Sequence, residues 1–252
     1  MTTLLQTHAM TKRYGALLVT DDVSLDIKSG ELHAIIGPNG AGKTTLINQL
    51  SGELRSDSGQ IRFSGDDVTD LGIHARARRG LVRSYQITSV FDEFTVRENA
   101  ALAARGARTN AFGFWKPLLA DKDALSAADE GIELAGLSSR ADVLASELGY
   151  GERRQLELAM ALAAKPKFLL LDEPMAGMSV QESAAVVALL RSLKGKYTIL
   201  LVEHDMNAVF ALADRISVLV YGRILTTGTP EEIRGNEEVR AIYLGDEEIS
   251  ES

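Results

Sequence analysis

The chain has 252 residues, 45% of them hydrophobic and 25% charged, a mixture that argues against disorder and suits one large α/β domain, or one domain with a small attached lobe. A net charge of -8 favours solubility and opposes nonspecific binding to DNA or RNA. Cysteine is absent, which excludes disulfides and thiolate metal sites, and the four histidines, His8, His33, His74 and His204, lack metal-ligand spacing.

The first stretch reads as antiparallel β structure. Leu4 to Ala9, Leu18 to Ile27 and Ile61 to Phe63 are separated by the turn pairs Tyr14-Gly15, Ser29-Gly30 and Ser64-Gly65. Glu31 to Ile36 reads as a strand entering a glycine-rich loop, and Thr44 to Leu50 as a helix ending near Ser51-Gly52. In the middle, Thr95-Val96-Arg97-Glu98 fits a capping box, and helices are expected over Asp121 to Ala135 and Gly151 to Ala164. Arg105 to Ala120 carries Phe112, Phe114 and Trp115 among Gly and Pro and reads as a loop or short insertion.

The last third alternates strand and helix. Phe168 to Leu171 and Tyr197 to Val202 are apolar without alternation, as in parallel strands covered on both faces. Helices are expected over Val180 to Leu193 and Asp205 to Ala213, and a strand over Ile216 to Val220. This rhythm predicts a parallel core sheet. Thr229-Pro230-Glu231-Glu232 opens a further helix, and the acidic stretch 246–252 reads as a frayed tail. No apolar run approaches the roughly 20 residues that span a bilayer. Met1 to Met10 lacks the pattern of a signal peptide. Membrane attachment is therefore expected only through a partner.

Gly37-Pro38-Asn39-Gly40-Ala41-Gly42-Lys43-Thr44-Thr45 fits G-x-x-x-x-G-K-[ST] in full, between a strand and a helix. Glycines let such a backbone wrap phosphates and turn its N–H groups inward. The helix start adds its positive end. Lys43 is the expected cation for the β- and γ-phosphates, and the Thr44 hydroxyl a ligand for Mg²⁺. Leu169 to Leu171 runs into Asp172-Glu173, at the strand end where α/β sheets bind ligands. Asp172 is placed to hold Mg²⁺ and Glu173 to polarise the attacking water. ATP and Mg²⁺ are thus the expected ligands.

With these motifs, the chain resembles the ABC-type nucleotide-binding domain over roughly residues 3 to 245. The resemblance implies a P-loop α/β fold with a parallel core sheet, an antiparallel β layer and a helical subdomain. The core is expected over about 3–87 and 166–245, and the helical subdomain over about 88–165. Tyr14 matches the family's adenine-stacking aromatic, Gln86 the glutamine that reaches Mg²⁺ and senses the membrane partner, and His204 the histidine that contacts the γ-phosphate. Leu148-Gly149-Tyr150-Gly151-Glu152 matches the signature LSGGQ, which caps the γ-phosphate held by the other subunit. Two departures stand out. Gly149 replaces the signature serine, and Ala176-Gly177-Met178-Ser179 replaces the usual Ser-Ala-Leu-Asp, with Ser179 and Glu182 forming a capping box instead. Both make pairing with a related but different ATPase subunit a candidate beside a homodimer.

Val82 to Gln86, Tyr150, Val202 to Met206, the aromatic insertion and the ending Ala241-Ile242-Tyr243-Leu244-Gly245 resemble the ATPase subunits of branched-chain amino acid importers. That branch implies transmembrane permease subunits, an indirect solute-binding protein, and a peripheral place on the cytoplasmic face of the inner membrane. Lipopolysaccharide-export ATPases share His74 to Gly80 and the ending, but lack the insertion after Ala104. ABC ATPases that act on DNA or ribosomes carry long coiled-coil insertions or, in many cases, paired cassettes, neither of which is seen here. Nucleic acid is not an expected partner.

Overall fold

A computed structural model describes residues 2–84, 90–108 and 117–242. The chain opens with β1 (Thr3–Tyr14), β2 (Leu17–Lys28), β3 (Leu32–Ile36), α1 (Lys43–Ser51), β4 (Ser58–Phe63) and β5 (Asp66–Asp67). It continues with α2 (Ile73–Ala77), β6 (Leu81–Ser84), α3 (Val96–Arg108), α4 (Lys122–Leu134), α5 (Tyr150–Ala163), β7 (Phe168–Asp172) and α6 (Val180–Leu193). It closes with β8 (Thr198–Val202), α7 (Met206–Leu212), β9 (Arg215–Val220), β10 (Arg223–Gly228) and α8 (Pro230–Gly235). These elements pack as two compact units, Met1–Gly72 with Lys194–Ser252, and Ile73–Leu193.

The first unit holds an antiparallel sheet in the order β2-β1-β4-β5. Beside it β3 pairs in parallel with β8 on one side and β9 on the other, and β10 joins β9 antiparallel. All residues of β3 and β8 are buried, as their unbroken apolar runs require. β1 continues past the expected end at Ala9 to Tyr14. Ala9 takes a left-handed φ of 49°, and the β1–β2 register shifts between Thr7 and Met10. An irregularity of this kind breaks the alternation from which a strand is read.

A buried polar network fastens the base of β3. His33 is fully buried, with Nδ1 2.9 Å from Glu31 Oε1 and Nε2 2.8 Å from Ser217 Oγ. Glu31 also accepts the Lys28 N–H at 2.7 Å, and Arg215 lies 3.4 Å away. Burial pushes the Glu31 carboxyl up, but the bonds from His33 and Lys28 and the Arg215 charge outweigh it and hold the group below its ordinary 4.5.

In the second unit β6 and β7 run parallel, and α3, α4 and α5 pack on one another. Their shared core is rich in alanine, including Ala100, Ala101, Ala104, Ala124, Ala128 and Ala159. Small side chains let helix axes approach. Gly131 shows how closely: a Cβ there would meet the Ala159 carbonyl oxygen at 2.6 Å. The box at Thr95 forms as its residues predict, with Glu98 accepting the Thr95 N–H at 2.8 Å and Thr95 Oγ1 accepting the Glu98 N–H at 3.1 Å.

The Glu31 network gives a stability prediction with a pH sign. Because the folded carboxyl lies below its ordinary value of 4.5, its contribution is fully present above that value. It is lost as pH falls through the lower folded value. Glu31→Gln should cost about 2 kcal/mol near neutrality. The gap between the two proteins in urea unfolding should close below the folded value.

Candidate functional site

In the first unit β3 leads into the loop Gly37-Pro38-Asn39-Gly40-Ala41-Gly42, and α1 begins at Lys43. The loop is wedged against two backbone carbonyls. A Cβ on Gly37 would stand 2.1 Å from the Leu219 oxygen, and one on Gly42 2.5 Å from the Val19 oxygen. Gly42 is also left-handed, at φ 102°, where only glycine is free of strain. Opposite, the Ala41 carbonyl accepts the Gly222 N–H at 2.9 Å. The β9–β10 turn is thereby bonded directly to the loop.

The start of α1 is prepared for an anion. Its first N–H groups have no partner within the helix. Gly42 supplies no side-chain cap, and no acidic residue stands in the first turn. By contrast, Asp205 caps α7 and Thr229 caps α8 through side-chain oxygens. The first turn of α1 therefore contributes no carboxylate of its own to offset the helix's positive end. The Lys43 ammonium donates to the carbonyls of Gly37, at 2.5 Å, and Pro38, at 3.0 Å. Thr44 is exposed and Thr45 half-buried.

Tyr14 stands at the tip of the β1–β2 hairpin with its ring exposed. Asp57 orders this tip, accepting from Lys12 Nζ and the Arg13 N–H, both at 2.7 Å. Those two bonds, Lys12 foremost, hold the Asp57 carboxyl below its usual range. His204 follows β8, whose Val202 is paired with Ile35 of β3. The register thus brings His204 to the same sheet edge as the loop. Its ring is exposed, while buried Glu203 accepts the His204 N–H at 3.1 Å.

In the second unit Asp172 ends β7. Its carboxylate accepts from Arg83 Nη2 on β6 at 3.0 Å, and both side chains are almost fully buried. Sequence reasoning passed over Arg83, although an arginine on a short strand beside the Asp172 strand was the available signal. Glu173 adopts φ 47°, an uncommon left-handed state for a residue with a side chain. Such strain concentrates at functional positions. The 148–152 segment runs through Leu148 and Gly149 into the first turn of α5. Glu152 accepts the Gly149 N–H at 3.0 Å, and Glu182 accepts the Gly151 N–H at 3.1 Å. Gln86, Phe112, Phe114, Trp115 and the stretch 243–252 lie outside the described residues.

With this geometry, the comparisons are specific. The family model described as ABC transporter matches residues 20–176. The chain belongs to the ABC transporter ATP-binding family. A second model, described as branched-chain amino acid ATP-binding cassette transporter, matches residues 223–249 of this ABC ATPase. Among its relatives is the high-affinity branched-chain amino acid transport ATP-binding protein LivG of Salmonella typhimurium, 40% identical over 96% of this chain and 98% of the relative. BraF of Pseudomonas aeruginosa, with the same description, is 37% identical with the same shares covered. The lipopolysaccharide export system ATP-binding protein LptB of Haemophilus influenzae is 36% identical over 97% and 98%. An ATP-binding cassette of an ABC transporter, solved in its ADP conformation, superposes with a TM-score of 0.86 at 30% identity, covering 97% of this chain and all of the other. The α/β P-loop fold and ATPase activity expected from the sequence are those of this family.

Gly222 belongs to none of the motifs, yet it is left-handed at φ 79°, and a Cβ there would lie 2.5 Å from the Val19 oxygen. Gly222→Ala should weaken ATP binding about tenfold, from about 1–2 kcal/mol of left-handed strain passed to the Ala41 carbonyl. Titration calorimetry with ATP checks this, and unchanged affinity would show that the hairpin does not set the loop.

Proposed function

We propose that this chain is the ATP-hydrolysing subunit of an importer for branched-chain amino acids or a related small polar solute. The observation that carries the importer reading is the match of residues 223–249 to the branched-chain amino acid cassette model. The relatives LivG and BraF support it. A lipopolysaccharide-export role is the second reading, favoured by the identity to LptB. In either case the chain works from the cytoplasmic face of the inner membrane, bound to transmembrane permease subunits. No helix among the described residues is long and apolar enough to cross a membrane.

Phosphoryl transfer asks mainly for positioning and charge neutralisation. The backbone of Gly37 to Thr45 and the Lys43 ammonium hold the phosphates, and Tyr14 stacks on adenine. Glu173 orients the attacking water, and His204 steadies charge on the γ-phosphate. No group of three or more His, Cys, Asp or Glu among the described residues is arranged to hold a metal. An oxygen donor set completed by phosphates suits Mg²⁺ without such a cluster. Thr44, Gln86 and Asp172 would hold the ion, which would supply charge neutralisation at the phosphates. Leu148 to Glu152 act on the nucleotide of a second ATPase subunit, identical or related. The core lobe is taken as about 3–87 and 166–245, and the helical lobe as about 88–165.

Two variants test the site. Glu173→Gln should bind ATP normally while turnover falls at least about 100-fold, within the range for loss of a positioned base. Lys43→Ala should instead weaken ATP binding by about 1.5–3 kcal/mol, the worth of a charged hydrogen bond. Near-normal hydrolysis by Glu173→Gln removes that residue from its role. The transport reading is checked by affinity isolation from the native membrane and by leucine uptake in a deletion strain. Co-isolation of lipopolysaccharide-export membrane proteins with unchanged uptake would select the second reading.

A further inference from the structure

The start of α5 is joined to the loop after Glu173 by two hydrogen-bonded ties, one through Tyr150 and one through Glu182. Tyr150 is half exposed, so burial does not explain its orientation. Its polar contacts do. Arg154 Nη2 lies 3.3 Å from the Tyr150 oxygen, and its guanidinium stands 5.5 Å from the ring centroid. Glu157 holds Arg154 in turn, at 2.9 Å. A phenol that accepts from an arginine has its own proton to give elsewhere. It goes to the Ala176 carbonyl, 2.8 Å away. The N–H of the same residue, Ala176, donates to the Glu173 carbonyl at 3.1 Å. One residue thus relays a bond from α5 to the strained backbone of Glu173.

The neighbouring residues are shaped to this tie. Gly177 is left-handed, and a Cβ there would lie 3.1 Å from the Tyr150 hydroxyl. Glu182 accepts the Ser179 N–H and hydroxyl at 2.9 and 2.7 Å through one oxygen, and the Gly151 N–H at 3.1 Å through the other. A Cβ on Gly151 would strike that second oxygen at 2.4 Å. Tyr150 in the signature and Ala176-Gly177-Met178-Ser179 after Glu173 are therefore parts of one assembly.

We infer that Tyr150 is a positioning residue for hydrolysis, which holds Glu173 through Ala176 so that the signature end of α5 and the water-polarising carboxylate shift as one piece. Glu182 makes the second tie. The inference rests on the roles proposed above for Glu173 and for residues 148–152. Its consequence is internal coupling: a force on α5 from a second subunit's nucleotide reaches the hydrolytic carboxylate of this chain.

Tyr150→Phe removes only the hydroxyl and tests the tie in steady-state hydrolysis by the full chain. The kcat should fall about tenfold, equivalent to about 1.4 kcal/mol, with KM and ATP affinity within about twofold of wild type. A merely structural role would instead shift ATP affinity together with Tm. Gly177→Ala supplies the second arm. It should lower kcat in the wild-type background, and lower it less where Tyr150→Phe has removed the oxygen its methyl strikes. An unchanged kcat in Tyr150→Phe, or strictly additive losses in the double variant, overturns the inference. Glu173→Gln run alongside separates the two failures. If it is inactive while Tyr150→Phe is normal, only the tie falls. If it turns over normally, the role of Glu173 falls, and the tie loses its purpose with it.

Discussion

The first unit depends on a backbone-to-backbone approach that no side chain permits. Gly37 lies against the Leu219 carbonyl and Gly42 against the Val19 carbonyl. These contacts pin the loop between β9 and β2, and the Gly222 N–H bond to Ala41 completes the clamp. A loop held on its outer side can keep an open N-terminus on α1 without collapsing onto it. The parallel pairing of β3 with β8 then determines which residue emerges beside the loop, and that residue is His204. Glycine therefore contributes here through shape as much as through freedom of φ.

Charge is handled by burial in pairs. Asp172 has Arg83, Glu31 has His33 and Arg215, and Glu157 has Arg154. A buried ion unpaired by mutation costs about 3–5 kcal/mol. Each pair is accordingly a fixed part of the architecture. Glu157 feels the cost of burial most plainly: desolvation pushes its carboxyl up, and Arg154 only partly offsets this. Asp172 and Glu173, adjacent in sequence, differ in kind. The first is a buried, paired carboxylate, while the second sits on a left-handed backbone.

Much of this was legible before the structure. The strand, glycine loop and helix from Glu31 to Leu50 carry local signals that tertiary packing does not contradict, and the caps at Thr95, Ser179 and Thr229 form as their residues predict. What escaped was what local pattern does not encode. β6 and β5 are short, and β10 is a partly buried edge strand with Thr226 and Thr227 rather than an apolar run. α2 has five residues, too few for a helical period to show. Arg83 and Gly222 gain meaning only from partners distant in sequence, as Arg83 does from Asp172, 89 residues on. The Ser179–Glu182 box was readable, but its second acceptor, turned to Gly151, was not.

The starts of α1 and α5 are electrostatically unlike. That of α1 carries no acid and no side-chain cap. That of α5 already has Glu152 on the Gly149 N–H and Glu182 on the Gly151 N–H. Carboxylates at a helix N-terminus offset its positive end, so an anion presented to α5 competes with them for the same donors. Gly149 has no hydroxyl to add to the contest. A subunit whose own signature keeps the serine would offer this chain's loop a donor that this chain does not offer in return. On these grounds the difference between an identical and a related partner is a difference in donors at α5.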